Sequence, residues 1–421
     1  MSRILKSSRV VWLSGFFLLV ACEAFSSSLS HDEADILQRV RAIAAAPVED
    51  FTLLGDSDGR HDLGYRYQLA FLAYGLCSLV RSEPSLHEEA HRIFSRLVDK
   101  MEQPATLAYW KADGFDGDGL IRDNIMYRGH LNLMYALAHD RFGETRFDER
   151  FHALSRALFD ELNRDRPICC EPDHLFFQCN SVSALSLWLH DRAFGTSYGT
   201  TARRILTWAR KQMPLPDTTL VCDDFRPSTG KSNTHRAGYA NAWAIAFLWP
   251  VPGMHADMQK MYADWRRTFA EPSPLTIGNS AAAGHPLRLD EILCSTIPPL
   301  TFGYLRIVKG APSGESLSPF EALSSSLLAT TFGLLAARAA GDEAMHEQLE
   351  HTVAYIDALV ANFEHALPPE RRVQARLYSN IALFARSFRG WDDVLHIRRA
   401  ESVQLQTITG PGRGVHTASP N

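Results

Sequence analysis

Apolar residues recur at helical spacing along most of the chain. Between Tyr67 and Val80 they fall at positions i, i+3, i+4 and i+7, which is the pattern of a buried helix face. The same pattern predicts further helices at 86–101, 124–140, 147–163, 180–194, 200–213, 236–249, 255–270, 290–307, 318–340, 343–366 and 370–388. Because the alternating pattern of strands is rare, the sequence predicts an all-α protein with about twelve helices.

Helices that follow one another in pairs favour an (α/α)6 barrel, a toroid in which an outer ring of helices wraps an inner ring. An α-solenoid is the alternative, but no repeat with a period of roughly 34–47 residues is visible. The stretch 182–189 is apolar on more than one face, as expected for an inner helix that is buried on both sides. We expect one domain of this kind at residues 30–395.

The two ends of the chain differ from this pattern. Basic residues precede a short apolar run at 10–21, which is typical of a signal peptide rather than of a membrane span of about 20 residues. We expect residues 1–25 to be a signal peptide or membrane anchor, with Cys22 placed as in a lipoprotein box. The chain would then be exported to the periplasm or to an endomembrane lumen, and a cytoplasmic location is the alternative. Residues 396–421 are expected to be a flexible tail.

The charge distribution bears on the partners of the chain, and the cysteine spacing bears on its disulfides. With a net charge of −5 and scattered Lys and Arg residues, no basic stripe indicates a nucleic-acid partner. The cysteines would allow disulfides in an oxidising compartment, but their spacing shows no compact disulfide framework. Cys77 lies within an apolar helix pattern, so we interpret it as a core residue.

The predicted helix at 124–140 carries polar groups among apolar ones. Its periodicity places Met126, His130 and Leu133 on one face. A histidine on such a face is either a hydrogen-bonded core residue or a functional group, and the pattern alone leaves both interpretations open.

A second segment, at 169–181, combines thiols with polar side chains before a helix predicted to begin near Asn180 or Ser181. Cys179 would lie at the N-terminus of that helix, where unpaired backbone N–H groups favour a thiolate. A loop can return Cys170 to face Cys179. A disulfide between these two residues and simple packing of the loop are the alternatives.

A third segment runs from His235 to Trp243. Tyr239 begins an apolar helix, where it either points into the mouth of a barrel or is a core residue whose hydroxyl finds a partner. The acidic run at 113–119 lacks the ligand spacing of an EF-hand, so we interpret it as a turn between helices rather than as a calcium site.

Two long phrases in these segments resemble the linalool dehydratase-isomerase family. They are Asn124-Ile-Met-Tyr-Arg-Gly-His-Leu-Asn-Leu-Met-Tyr135 and Cys170-Glu-Pro-Asp-His-Leu-Phe-Phe-Gln-Cys-Asn-Ser-Val182. The resemblance is close over residues 60–250 and weak over the C-terminal helices. It implies an (α/α)6 barrel that is exported, forms a homo-oligomer and needs neither a cofactor nor a metal. It also implies interconversion of a monoterpene alkene, a tertiary allylic alcohol and its primary isomer.

The resemblance also implies roles for individual residues. His130, Cys170 and Cys179 match the catalytic histidine and cysteines of the family. The residues expected to bind the substrate are Tyr67, Met126, Phe177 and Tyr239.

The acid of the family is harder to place. It lies in a segment upstream of Tyr67 that is shortened here, and in this segment Asp56 is the best candidate and Asp50 the next. Glu171, which follows the first cysteine as in the family, is a further candidate. The shortening leaves the part of the pocket that binds the alcohol different from that of the family.

The chemistry expected of these residues follows from the reaction. Dehydration needs a proton on the leaving hydroxyl and a base for a C–H proton beside a developing cation, in a dry pocket. Asp56 or Glu171 would deliver the proton. The two thiols would act as base or nucleophile and His130 would tune them, while the tyrosines orient the hydroxyl. The expected partner is a small hydrophobic alcohol or alkene.

Other classes of protein remain open at this point. A glycosidase or polysaccharide lyase needs paired carboxylates in a polar cleft, for which the chain offers Asp116, Asp118 and Asp123. A zinc enzyme would use His130, Cys170 and Cys179 as ligands. A helical protein that binds an apolar ligand without catalysis is the non-enzymatic alternative.

Overall fold

The computed structural model describes residues 29–55, 64–112, 115, 122–270, 306–312, 317, 319–363 and 369–395. Several sequence-based expectations lie wholly or largely outside the described residues. They concern the leader at 1–25, the acid candidate Asp56, the acidic turn at 113–119, the helix at 290–307 and the tail at 396–421.

Helices make up most of the described chain. They are α1 His31–Ala45, α2 Tyr65–Ser82, α3 His87–Met101, α4 Ala108–Ala112, α5 Ile125–Phe142, α6 Asp148–Leu162, α7 Phe177–Phe194, α8 Thr201–Gln212, α9 Ala237–Leu248, α10 His255–Trp265, α11 Pro319–Ala340, α12 Glu343–Phe363, α13 Pro369–Ser387 and α14 Trp391–Val394. Short 3-10 helices lie at Thr52–Leu54, Pro84–Leu86, Pro104–Leu107 and Tyr198–Thr200, and a π-helical turn at Arg266–Ala270 follows α10.

Contacts between helices close a ring. Helix α2 packs on α5, α5 on α7, α7 on α9, α9 on α11 and α11 on α13, and α13 packs back on α2. Helices α1, α3, α6, α8, α10 and α12 pack on the outside of this ring. The described chain is therefore an (α/α)6 barrel, and both the all-α class and the toroid predicted from the sequence are confirmed.

Burial distinguishes the two rings. The outer helix α3 buries one face, which consists mainly of Ala90, Ile93, Phe94, Leu97 and Val98. In the inner helix α7, every residue from Phe177 to His190 is buried. An inner helix has the barrel interior on one side and an outer helix on the other, so it must be apolar or internally hydrogen-bonded all round.

Three of the described helices, α1, α4 and α14, lie outside the segments that the apolar pattern predicted, and α1 is the longest of them. Helix α1 begins with a capping box, in which the Ser30 hydroxyl accepts from the Glu33 N–H and the Glu33 carboxylate accepts from the Ser30 N–H. Its core contacts come from Ile36, Val40 and Ile43. The Ser-x-x-Glu spacing is a sequence signal for this helix start.

A small antiparallel sheet connects two of the segments that carry candidate residues. Strand β1 (Leu175–Phe176) pairs with β2 (Asp224–Arg226), and β2 pairs with β3 (Lys231–Asn233). Strand β1 immediately precedes α7, and β3 leads into α9. The sheet thereby ties the loop around Cys170 to the start of α9. Among the described residues, no helix combines the length and apolarity that a membrane crossing requires.

Candidate active site

Aromatic rings from four inner helices meet inside the barrel. The ring of His130 on α5 lies 5.3 Å from that of Tyr67 on α2 and 5.7 Å from that of Trp243 on α9, measured between centroids. Trp243 in turn stacks on Phe332 of α11 at 4.4 Å. Phe71 completes this aromatic wall, 5.5 Å from both His130 and Trp243. Residues far apart in sequence are thus brought to one place.

His130 is held by a single hydrogen bond. Its Nδ1 lies 2.9 Å from the hydroxyl of Tyr74, which is one helical turn after Phe71 on α2. Burial, with a smaller contribution from the Arg66 charge, lowers the pKa of His130 to about 3, so the imidazole is neutral at physiological pH. No partner for the buried Nε2 is found among the described residues. This nitrogen is therefore available to a bound molecule.

The two candidate cysteines lie side by side. Cys170 and Cys179 share a hydrogen bond between their side chains, and both are buried, free thiols rather than a disulfide. Burial, and then the hydrogen bond to Cys179, raises the pKa of Cys170 well above its usual value. Cys170 is therefore a neutral thiol. Cys179 is the third residue of α7, which begins three residues earlier than the sequence indicated, so Cys179 remains in the first turn.

A buried amide fixes the distance between these thiols. The Asn180 side chain donates to the carbonyls of Ile168 (2.9 Å) and Phe176 (3.0 Å), and its oxygen accepts from the Ile168 N–H at 3.0 Å. These bonds hold both ends of the Cys170 loop against the first turn of α7. Asn180 thus links the loop that carries one thiol to the helix that carries the other.

Helices α5 and α7 approach closely beside the site. A Cβ atom added to Gly129 would lie 2.6 Å from the Ser183 Oγ and 3.5 Å from the Cys179 carbonyl oxygen, so a larger residue would require the Ser183 hydroxyl to move. Because His130 follows Gly129, the close approach sets its helix directly against the helix of Cys179.

Met126 binds two polar groups through its sulfur. The Tyr67 hydroxyl donates to the Met126 Sδ at 3.2 Å, and the Arg66 guanidinium lies 3.3 Å from the same atom. The guanidinium also lies 4.7 Å from the centroid of the Tyr67 ring and 3.9 Å from that of Tyr109. A buried cation and a soft, weak acceptor therefore orient Tyr67.

The two candidate tyrosines face the interior of the barrel. Tyr67 and Tyr239 retain some accessible surface, yet burial raises the pKa of both hydroxyls. Negative charge on Cys170 or Cys179 would raise the pKa of Tyr67 further, and negative charge on Cys179 would raise the pKa of Tyr239. The two hydroxyls therefore lie near the thiols. Gln178 donates to the Tyr239 oxygen at 3.0 Å, so the O–H of Tyr239 is left to donate elsewhere.

Phe177 and Glu171 lie next to the cysteines along the chain. Phe177 is the first residue of α7 and is buried. Glu171 is partly buried in the turn whose backbone bonds join Cys170 and Glu171 to His174. Its negative charge is one of the factors that raise the pKa of Cys170. Of the candidate acids in the described chain, Glu171 is thus near the thiols.

Two other candidate carboxylates lie elsewhere. Asp50 accepts a hydrogen bond from the Thr52 N–H at the surface, and this contact lowers its pKa, contrary to what a proton donor needs. Asp123, considered for a glycosidase, precedes α5; its backbone N–H lies 3.3 Å from the carboxylate of Glu161, and burial raises its pKa. Asp116 and Asp118 lie outside the described residues.

Sequence reasoning missed a buried carboxyl group, that of Asp223. It is 2% exposed, and burial raises its pKa to about 6. A charge on Asp223 would raise the pKa of Tyr239, so the two groups interact. Its sequence signal, two adjacent aspartates before a short hairpin, is weak because one of the pair is easily interpreted as a surface residue.

Sequence reasoning also missed the residues that hold the candidate groups in place. Arg66, Tyr74 and Gln178 lie within apolar helix patterns, where a polar residue usually finds a structural partner. Arg66 and Tyr74 lie on the same helix as Tyr67, and Gln178 precedes Cys179, so this proximity in sequence was the signal that could have identified them. Among the described residues, no three His, Cys, Asp or Glu side chains are grouped so that they would hold a metal ion.

The fold and the site together define a class: a helical barrel protein whose interior presents thiols, a neutral imidazole and tyrosines beside an aromatic wall. The family model described as linalool dehydratase/isomerase matches residues 66–362 of the chain. The chain therefore belongs to the linalool dehydratase/isomerase family, a family of lyases and isomerases.

Solved structures with a similar chain path are glycoside hydrolases of low identity. The α-1,6-mannanase of Salegentibacter sp. HEL1_6 is 10% identical with a TM-score of 0.45, and the match covers 84% of this chain and 98% of that one. Its inactive variant in complex with α-1,6-mannotetrose is 11% identical with a TM-score of 0.45 and the same coverage. A family 105 glycoside hydrolase of C. acetobutylicum ATCC 824 is 14% identical with a TM-score of 0.46, covering 76% of this chain and 81% of that one. Such scores carry no weight for the activity of the chain.

Proposed function

We propose that the chain is a cofactor-independent hydro-lyase and isomerase that acts on an allylic or tertiary alcohol, or on the corresponding alkene, of a terpenoid or related metabolite. The observation that carries this proposal is the hydrogen-bonded thiol pair of Cys170 and Cys179, whose charges would act on Tyr67, together with a neutral His130 whose ring lies 5.3 Å from that of Tyr67. Membership of the family supports the same reaction class. Thiols and a neutral imidazole exchange protons in apolar surroundings without the desolvation penalty of a buried carboxylate pair.

The aromatic wall suits the hydrocarbon part of such a substrate. Burying apolar surface contributes roughly 25 cal/mol per Å², so a branched hydrocarbon gains several kcal/mol from a dry aromatic pocket. The faces of Trp243, Phe332 and Tyr67 also stabilise the allylic cation that forms as the hydroxyl leaves. These rings would bind the transition state more strongly than the neutral alcohol.

The polar groups suit the hydroxyl and the proton transfers. The O–H of Tyr239, left free by the hydrogen bond from Gln178, donates to the substrate oxygen. Tyr67 orients the same hydroxyl. Cys179, in the first turn of α7, exchanges the C–H proton, and the neutral Cys170 thiol stabilises it through their hydrogen bond. His130 offers its Nε2 to the reacting groups.

The identity of the general acid is proposed from the sequence. Asp56 and Glu171 are the residues proposed to protonate the leaving hydroxyl. The proposal also includes export of the chain through residues 1–25 and assembly into a homo-oligomer. The mass of the mature protein and its mass in solution test these two points.

A substrate panel tests the reaction class. The purified full-length chain is incubated without oxygen with linalool, myrcene, geraniol and longer prenyl alcohols, and with an α-1,6-mannan oligosaccharide. We expect an alkene from a tertiary allylic alcohol, or the reverse hydration, and no cleavage of the oligosaccharide. Cleavage of the oligosaccharide together with unchanged terpenoids would overturn the proposal.

A further inference from the structure

Asp223 and Asp224 are adjacent aspartates whose side chains lie in different environments. Asp223 lies in a bend directly before β2, and Asp224 is the first residue of that strand. Asp224 pairs with His174, its Oδ2 lying 3.1 Å from the histidine Nδ1. The Asp223 side chain is almost completely buried. Both carboxyl groups are therefore buried, but that of Asp224 has the His174 side chain as a partner, whereas that of Asp223 lies beside the start of α9.

Two contacts fix the position of Asp223. Its backbone N–H donates to the Asn233 carbonyl across the hairpin at 2.9 Å, and its carboxylate accepts from the backbone N–H of Arg236, just before α9. Asn241 bonds to both the N–H and the carbonyl of Val221, which holds the preceding backbone against α9. One carboxyl oxygen, Oδ1, is buried and has no hydrogen-bond partner among the described residues.

A negative charge on the Asp223 carboxyl group is energetically unfavourable at this buried position. A buried carboxylate oxygen without a partner loses its hydration and gains nothing in return. Burial is the largest cause of the raised pKa of about 6, the nearby Asp224 charge adds to it, and Arg236 opposes it. The thiol of the adjacent Cys222 points away, 3.6 Å from the Pro214 carbonyl. With a pKa of about 6, Asp223 thus changes charge between mildly acidic and neutral pH.

The group that senses this charge is Tyr239, the third residue of α9, because the Asp223 carboxylate contacts the backbone just before that helix. Burial raises the pKa of the Tyr239 hydroxyl, and the positive charge of Arg236 opposes this rise. Negative charge on Cys179 or on Asp223 raises the pKa further. A weaker acid is a weaker hydrogen-bond donor, so Tyr239 donates best when Asp223 is protonated. Gln178 already occupies the oxygen of Tyr239, so donation is the role left to this hydroxyl.

We propose that Asp223 is a positioning residue whose protonated form keeps Tyr239 a strong donor to the hydroxyl of a bound tertiary alcohol, and whose ionised form weakens that bond. This inference rests on the proposed function for the identity of the ligand. No net proton leaves Asp223 in the step, because it acts only through its charge.

A purely structural role makes a different prediction. If Asp223 only closed the hairpin and held the Arg236 N–H, an amide would serve equally well, since its oxygen accepts the same bond. Asp223→Asn therefore keeps the contact and removes only the ionisation. Asp224→Asn is the matched control, because it removes the neighbouring charge.

The test is the affinity of the full-length protein for tetrahydrolinalool, a saturated tertiary alcohol that does not react, measured between pH 5 and 8. We expect the affinity of the wild type to fall through a midpoint at about pH 6, and that of Asp224→Asn to fall through a midpoint at a lower pH, because the Asp224 charge adds to the raised pKa of Asp223. For Asp223→Asn we expect the affinity to stay at the acid-side value throughout. A wild-type affinity that does not vary with pH, or an Asp223→Asn protein that keeps the transition, overturns the inference.

A second readout separates this inference from the proposed function. The resonance of Tyr239, assigned through Tyr239→Phe in protein with labelled tyrosine, is followed over the same pH range. We expect a midpoint at about pH 6 that disappears only in Asp223→Asn. If both readouts show this midpoint but no alcohol is turned over, the proposed function fails and the inference stands. Turnover with a pH profile that Asp223→Asn leaves unchanged overturns the inference alone.

Discussion

The hydroxyl of Tyr74 on α2 lies 2.9 Å from the Nδ1 of His130 on α5, and this is the hydrogen bond that fixes the imidazole inside the barrel. Because the imidazole is neutral, it has one donor nitrogen and one acceptor nitrogen. The bond to Tyr74 determines whether the other nitrogen, Nε2, donates or accepts a hydrogen bond. Tyr74 thus sets the chemistry of the nitrogen that the proposed function assigns to the reacting groups.

Tyr74→Phe is expected to lower kcat and to reduce stability by about 1–3 kcal/mol, because a buried nitrogen loses its partner. The matched control is Tyr262→Phe, which removes a comparable 2.9 Å bond from a buried tyrosine to Asp342, away from the candidate site. We expect this control to lose stability but to keep its kcat. Equal kcat values for the two variants would show that Tyr74 has no role in the reaction. Activity assays and denaturant titrations measure both effects.

The neutral state of His130 predicts a specific loss of stability in acid. The unfolded chain binds a proton at a pKa of about 6.5, whereas the folded chain binds it at about 3. The stability from the neutral imidazole is therefore complete above about pH 6.5 and declines as the pH falls toward 3. Between pH 7 and 5, we expect the wild type to lose about 2 kcal/mol more than His130→Gln.

Urea denaturation at the two pH values measures this difference. The other buried histidines with lowered pKa values, His190 and His346, are present in both proteins, so their contributions cancel. Identical losses in the wild type and in His130→Gln would mean that His130 titrates normally in the folded chain.

Asp223 predicts the opposite dependence on pH. Its folded pKa of about 6 lies above the unfolded value, so the stability it contributes is complete in acid and is lost as the pH rises through about 6. From pH 5 to pH 8, the stability of Asp223→Asn should improve relative to the wild type by about 1 kcal/mol. Asp224→Asn keeps an ionisable Asp223, so it should lose stability over this range as the wild type does, by a smaller amount. Denaturant titrations of the three proteins at both pH values detect it.

Asn180 is expected to matter for activity through geometry alone. Asn180→Ala removes three hydrogen bonds that hold the Cys170 loop on α7, so we expect a loss of about 1–3 kcal/mol and a large fall in kcat. Hydrogen exchange of residues 168–176 should speed up. The control Asn132→Ala removes a buried amide bonded to Ser155 and Ser186, and it should cost stability while leaving kcat close to that of the wild type. Unchanged exchange in Asn180→Ala would contradict this account.

The sequence was informative wherever a pattern repeats. Continuous burial of an inner helix is visible as the apolar stretch 182–189, and the order of such stretches predicted the ring that α2, α5, α7, α9, α11 and α13 form. The helix of Cys179 was placed three residues too late, because Phe177 and Gln178 resemble the end of a loop. Helix α1 was missed although Ile36, Val40 and Ile43 have helical spacing, because this apolar period extends over only two turns and its capping signal is short.

The candidate site was predictable only in part. The two segments that resemble the family contain His130 and both cysteines. The role of the Tyr74 hydroxyl could not be predicted from the sequence, because it depends on the packing of α5 on α2. The burial of Asp223 depends on a bend before a three-residue strand, and both are too short for a sequence pattern to define. Asp56, the acid favoured from the sequence, lies outside the described residues and stays a prediction.

The most direct test of the central claim is the conversion of linalool to myrcene by four purified proteins, assayed without oxygen. The wild type and Cys77→Ala, which removes a buried thiol within α2, are expected to give product at similar rates. Cys170→Ala and Cys179→Ala are expected to give none, while keeping the helical circular dichroism of the wild type. Product formation by both of these variants at the wild-type rate would contradict a reaction centred on the two thiols.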